Sequence, residues 1–154
     1  MSKEFLNKTA IVTGSSQGIG YAVAKLYIER GLSNITIVGR DEIKGNKVLE
    51  EFNSMGANCL FVKAELKNVD DCRKIVKMTD EKFGRIDILA NCAGDTRRAT
   101  ILSTDQNLFD DIIAVNLRAP FFLIQDCVKV MRREKIKGAI ASVITMSSHS
   151  GAVF

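Results

Sequence analysis

Proline and histidine are almost missing from this chain of 154 residues, which holds one of each, Pro120 and His149. A lone histidine gives a metal site or a histidine-based nucleophile little to work with. His149 adjoins Ser148 and Ser150 with no acidic residue to orient it, so no catalytic role falls to it. The four cysteines, Cys59, Cys72, Cys92 and Cys127, stand far apart, with no Cys-x-x-Cys and no neighbouring histidine. They read as reduced, mostly buried thiols, not as metal ligands or a disulfide framework. No apolar run approaches bilayer length, and the opening Met-Ser-Lys-Glu-Phe-Leu-Asn-Lys has no apolar core of a signal peptide. A cytoplasmic protein without a membrane partner is therefore expected. Charge of one sign is scarce as well: 22 Lys and Arg against 18 Asp and Glu leave +4, spread along the chain. No basic face with interleaved aromatics appears, so nucleic acid is not an expected partner. There is no internal repeat, low-complexity stretch or linker. With 46% hydrophobic and 26% charged residues, residues 1–154 read as one globular domain with a real core.

The stretch Thr13-Gly-Ser-Ser-Gln-Gly-Ile-Gly20 organises the rest. It follows the apolar run Ala10-Ile11-Val12 and opens into a helical pattern with Ile19, Ala22, Val23 and Leu26 on one face. Strand, glycine turn and helix together make a phosphate-binding context, with a merely structural turn as the alternative. Gly14 permits a tight turn, Gly18 leaves backbone room for a pyrophosphate, and Gly20 lets the helix pack closely on the strand. The N–H groups and positive dipole end of that helix face the anion.

Strand-like and helix-like segments alternate along the whole chain. Apolar runs of strand length occur at Thr9–Val12, Ile35–Val38, Cys59–Val62, Ile86–Ala90 and Ala139–Met146, as expected of strands buried on both faces of a parallel sheet. Asp41 is placed to cap a helix carrying Ile43, Val48, Leu49 and Phe52 that stops at Gly56. From Asn68 to Phe83, Cys72, Ile75, Val76, Thr79 and Phe83 recur at helical spacing. Ser103 with Gln106 predicts a capping box before Leu108, Phe109, Ile112 and Ile113. Pro120 sits where the next helix would begin. Repeated β-α units predict an α/β fold, a doubly wound parallel sheet, here in its first five strand-helix units. The sequence ends shortly after the fifth strand, and a fragment of a longer protein is the favoured explanation; a partner covering that side of the sheet is the other.

Four motifs in order, Thr13–Gly20, Asn91-Cys-Ala-Gly94, Asn116 in Val-Asn-Leu, and Ser147-Ser-His-Ser-Gly151, resemble those of the short-chain dehydrogenase/reductases over the full chain. They are similar to that family's TGxxxGxG loop, its Asn-Asn-Ala-Gly motif (with Cys92 for the second Asn), its helix asparagine and its catalytic-serine segment. The resemblance implies a Rossmann fold and cofactor contacts from Gly14, Ser15, Ser16, Gln17, Gly18, Ile19 and Gly20. It adds Arg40, Glu65, Asn91, Ala93 and Gly94. Glu65 stands where the family usually has an Asp beside the adenine. It also implies that Ser148 hydrogen-bonds the substrate oxygen and that Asn116 shapes its helix and holds a water of a proton relay. A satisfied buried amide is the competing account of Asn116, and an ordinary loop that of the serine segment.

The end of the second strand bears on which cofactor is used. A dinucleotide fold selecting NAD has an acidic residue there, about twenty residues after the glycines. Here the place reads Val38-Gly39-Arg40. Glycine offers no acceptor to a ribose hydroxyl, whereas Arg40 can pair with a 2′-phosphate in a charge-assisted fork. NADP is favoured. NAD remains the alternative, because Asp41 is close enough to turn toward the ribose and Arg40 could be simply solvated. The family's Tyr-x-x-x-Lys motif, which supplies the proton, does not appear before Phe154, and Tyr21 and Tyr27 both fall on the first helix. The expected function is an NADP(H)-dependent oxidoreductase interconverting an alcohol and a ketone, a small-molecule substrate, in an intact protein that is a homo-oligomer. The 154-residue chain alone is expected to be inactive. The alternative is a non-catalytic dinucleotide-binding or interaction module.

Overall fold

A computed structural model describes residues 4–136 of the chain. Four strands, β1 (Thr9–Thr13), β2 (Asn34–Gly39), β3 (Asn58–Lys63) and β4 (Ile88–Asn91), form one parallel sheet in the order β3-β2-β1-β4. The helices are α1 (Gly18–Glu29), α2 (Glu42–Ser54), α3 (Val69–Phe83), α4 (Gln106–Ile113) and α5 (Ala119–Arg133). A π-helical turn, Ala114–Arg118, joins α4 to α5 without a break.

Alternation along the strands sorts their side chains to two faces. Ala10 and Val12 of β1 and Ile35 and Ile37 of β2 pack with Ala24 and Ile28 of α1 and with Val48 and Phe52 of α2. Ile11, Val38, Val62 and Leu89 pack on the opposite face with Ile75 and Val76 of α3 and Leu123 and Cys127 of α5. Fully burying an Ile, Leu or Phe contributes roughly 1.5–3 kcal/mol each, so these two layers hold the sheet. The chain adds β2 and β3 on one side of β1 and then returns to place β4 on the other. The sheet therefore reverses its order between β1 and β4, and a crevice opens at the carboxyl ends of those strands.

Three expectations fail locally. The face of α1 that meets the sheet carries Gly20, Ala24 and Ile28, while Ile19 and Leu26 are exposed. Small residues win that face because the helix lies too close for long ones. Ile86 precedes β4 instead of starting it, in a turn where Asp87 accepts from the Thr9 amide (2.8 Å) and from Arg85. Ser103 does not cap α4. Its hydroxyl serves the turn at Thr100 (3.0 Å), and Asp105 accepts from Leu108 N at 2.7 Å instead. The cap of α2 by Asp41 forms as the sequence suggests, and Asn68 caps α3. Pro120 stands in the first turn of α5, as the sequence suggests. It follows the π turn, where the Ala119 N–H reaches back to Ala114 O and the wider winding makes room for the proline ring. The strand expected at Ala139–Met146, and Ser148, lie outside the described residues.

One buried polar pair has a fixed direction. Thr79 Oγ1 donates to Ile75 O at 2.7 Å, so the 2.8 Å contact with Thr36 Oγ1 must take its proton from Thr36. Thr79→Val strands the Thr36 hydroxyl and is expected to lose about 1–3 kcal/mol of unfolding free energy, against less than about 1 kcal/mol for Thr36→Val. Urea denaturation of the two variants checks this, and equal losses would refute the assigned direction.

Burial also pushes the Cys72 thiol up to about 11 and those of Cys59 and Cys127 up to about 12. A thiol that keeps its proton only when folded makes stability fall with pH once the unfolded chain ionises. Between about pH 9 and 11 for Cys72, and between about pH 9 and 12 for Cys59 and Cys127, each is expected to remove about 1.4 kcal/mol per pH unit. Below that window the thiols contribute their full stability. Denaturation series at alkaline pH should show a shallower slope for Cys127→Ala than for the unsubstituted chain.

Candidate dinucleotide site

The crevice between β1 and β4 is a cleft of about 670 Å³. Its floor is the loop from Gly14 to Gly18. Gly14 has φ +65°, and a side-chain carbon there would sit 2.9 Å from Ala93 Cα. A carbon on Gly20 would collide with the Gly14 carbonyl. Only glycines let β1, α1 and the segment after β4 converge this tightly. Ser15 is fully buried beneath the loop: its hydroxyl donates to Val12 O at 2.7 Å and accepts from Val38 N at 2.9 Å. Thr13, whose role the sequence motif alone does not disclose, accepts from both Cys92 N and Ala93 N at 3.1 Å. One hydroxyl thus ties the end of β1 to the segment after β4.

Helix α1 begins differently from α2, α3 and α4. Those three have side-chain caps, from Asp41, Asn68 and Asp105, whereas Gln17 makes no cap bond to α1. No acidic residue stands in the first turn of α1. Its leading N–H groups are left to a ligand, and the dipole favours an anion there. At the rim, a carbon on Gly39 would lie 2.7 Å from Ser16 Oγ, so the serine hydroxyl stands directly over the end of β2. Arg40 extends beyond it, 77% exposed, with the Glu65 carboxylate at 3.8 Å. Asp41 has its carboxylate on the Lys44 amide at 3.0 Å.

The opposite wall is held by charge. Arg97 pairs with Asp95 and Asp111, each at 2.6 Å, and Lys67 reaches Asp111 at 2.6 Å. Its hydrogen bonds to Arg97 hold the Asp95 carboxyl below the usual range. Lys67 first, and then Arg97, does the same for Asp111. Asn116, in the π turn, accepts from Asp95 N at 2.8 Å and donates to Asp95 O at 2.9 Å.

Of the residues singled out in the sequence, Gly14, Ser16, Gln17, Gly18, Ile19, Gly20, Arg40, Glu65, Ala93 and Gly94 line the cleft. Ser15 lies below it, Asn91 is buried at the end of β4 against Thr13, and Asn116 stands behind the Gly94–Asp95 backbone. Leu66, Lys67, Asp95, Thr96, Arg97 and Val115 also line it without a sequence signal of their own. Cys92 lines it too, its thiol pushed up by burial. Among the described residues there is no cluster suited to a metal ion, and no helix is long and apolar enough to cross a membrane. The room above Gly18, the uncapped helix end and the cleft volume fit a dinucleotide.

The sequence model of the short chain dehydrogenase family matches residues 8–154. The chain belongs to this family. Over 149 residues it is 34% identical to an uncharacterized oxidoreductase of Thermotoga maritima, covering 97% of this chain and 57% of that protein. Over 148 residues it is 32% identical to the 3-oxoacyl-[acyl-carrier-protein] reductase FabG of Staphylococcus aureus, covering 96% and 58%. The chain therefore spans little more than half the length of these relatives. Among solved structures, a metagenomic short-chain oxidoreductase in complex with NADP superposes with TM-score 0.82 at 28% identity, covering 90% of this chain and 62% of the other. L-sorbose reductase of Gluconobacter frateurii, complexed with NADPH and L-sorbose, gives 0.82 at 26% identity, covering 87% and 51%.

The two loop glycines are expected to fail differently in this short-chain dehydrogenase. Gly14→Ala meets backbone and should cost about 2–4 kcal/mol. Gly18→Ala has nothing within 4 Å and should cost only about 1 kcal/mol for its positive φ, yet still weaken dinucleotide binding. Urea denaturation and nucleotide titration together check this. Equal stability losses would remove the close approach from Gly14.

Proposed function

We propose that the chain carries the NADP(H) site of an oxidoreductase interconverting an alcohol and a ketone. The observation that carries the cofactor choice is the end of β2. Gly39 has no side chain to accept from a ribose hydroxyl, and the exposed Arg40 guanidinium stands beside the space it leaves. Asp41, the other candidate acceptor, is engaged as the α2 cap and does not line the cleft. The complexes with NADP and NADPH among the similar structures support the same reading.

Bound there, the nicotinamide group supplies hydride exchange with a carbinol carbon. The chain's residues bind and orient. The Gly14–Gly18 loop and the uncapped start of α1 take the pyrophosphate, and Arg40 with the Ser16 hydroxyl takes the 2′-phosphate. The Ala93–Gly94 backbone, held from behind by Asn116 and from β1 by Thr13, would receive the adenosine ribose. Ser148, outside the described residues, is assigned the hydrogen bond to the substrate oxygen. Tyr21 donates to Glu51 at 2.5 Å and Tyr27 packs edge-on to Phe5 on α1, so neither is placed to move the proton. That group is not among the described residues.

Arg40→Ala is expected to weaken NADPH binding about tenfold or more, from loss of a charge-assisted fork, and to leave NADH binding within about twofold. Fluorescence titration with the two reduced cofactors measures this directly. Equal losses would end the NADP assignment.

A further inference from the structure

We propose that Glu65 is a specificity-determining residue that acts by sharing the Arg40 guanidinium with the 2′-phosphate of the cofactor. The inference rests on the NADP(H) reading of this site. Pairing between β2 and β3 ends at Gly39 opposite Lys63, and Ala64 N donates to Gly39 O at 3.1 Å just beyond. Arg40 and Glu65 are therefore the residues that leave the two strand ends side by side on the cleft rim, and both line it.

Glu65 cannot withdraw with its backbone, because its N–H is held by Asp71 Oδ2 at 2.7 Å. The other carboxylates nearby are engaged elsewhere. Asp41 caps α2, Glu42 pairs with Lys63 at 3.2 Å, and Asp71 holds the Glu65 amide with Lys74 at 3.6 Å. Among the described residues, Glu65 has only Arg40 as an ionic partner, and Arg40 only Glu65. At 3.8 Å, with side chains 77% and 46% exposed, this pair is weak and easily reorganised. A 2′-phosphate bonded to the same guanidinium competes with the carboxylate for its charge and stays close to a like charge. NADH brings no such phosphate, so this competition does not act on it. The carboxylate thus lowers the preference that Arg40 creates, and specificity is the difference between the two.

Dissociation constants for NADPH and NADH are to be measured on the 154-residue chain and on Glu65→Gln, Arg40→Ala and the double variant. Glutamine keeps an acceptor oxygen and removes only the charge. Glu65→Gln is expected to tighten NADPH binding about two- to fivefold relative to NADH, the range of an exposed ion pair. Most of that gain should vanish in the Arg40→Ala background, where no guanidinium remains to be released. Unchanged NADPH affinity, or a gain of the same size without Arg40, would overturn the proposal. So would equal shifts for both cofactors, which would place Glu65 on the part of the cofactor that both share. Failure of the underlying NADP reading looks different: Arg40→Ala would then weaken both cofactors alike, or neither would bind.

Discussion

Everything at the cleft depends on how little space Gly14 occupies. Its backbone lies between the Gly20 turn of α1 and the Ala93 backbone after β4: a methyl group on Gly14 would meet Ala93, and one on Gly20 would meet the Gly14 carbonyl. Because the gap is filled by backbone alone, the helix N-terminus, the end of β1 and the segment after β4 share one corner of the molecule. Thr13 and Ser15 on either side of Gly14 complete the junction by bonding laterally, one to β4's exit and the other to β2. The loop is thereby fixed from three directions before any ligand arrives, which reduces the ordering entropy of binding.

Much of this was legible in the sequence, for reasons that differ from place to place. The strands showed as apolar runs because a doubly covered parallel sheet tolerates nothing else, and the glycine loop showed because its spacing is geometric. Asp41 was readable as a cap since capping is a local matter between neighbours in the chain. Ser103 misled because its hydroxyl had an equally local competitor in Thr100, a choice that pattern alone does not decide. The buried face of α1 misled in another way. Hydrophobicity pointed to Ile19 and Leu26, whereas the distance between helix and sheet favoured Gly20 and Ala24. The wall formed by Lys67, Asp95, Arg97 and Asp111 was invisible, since its members come from three separated segments that only the fold assembles.

Charge around the cleft divides into two populations. On the far wall every carboxylate is matched by a cation at short distance, so that side is rigid and nearly neutral to an incoming ligand. On the near rim Arg40 and Glu65 are long, exposed and loosely paired. The same residue types therefore serve as structure on one side and as recognition on the other, with separation and exposure deciding which.

The π turn has a consequence for insertions and deletions. Residues 106–133 wind continuously, yet the turn at Ala114–Arg118 holds one residue more than an α-helix of equal length would. Deleting one residue there would heal the helix into uniform 3.6-residue winding and remove the widening beside Pro120. The two halves of the rod would keep their relative facing, because the widened turn absorbs its extra residue without rotating the turns on either side. Leu123 and Cys127 would stay in the core, and the change would fall on the turn that carries Asn116 to the Asp95 backbone. The surplus residue thus serves a polar loop at the middle of the rod without disturbing the apolar stripe along its second half.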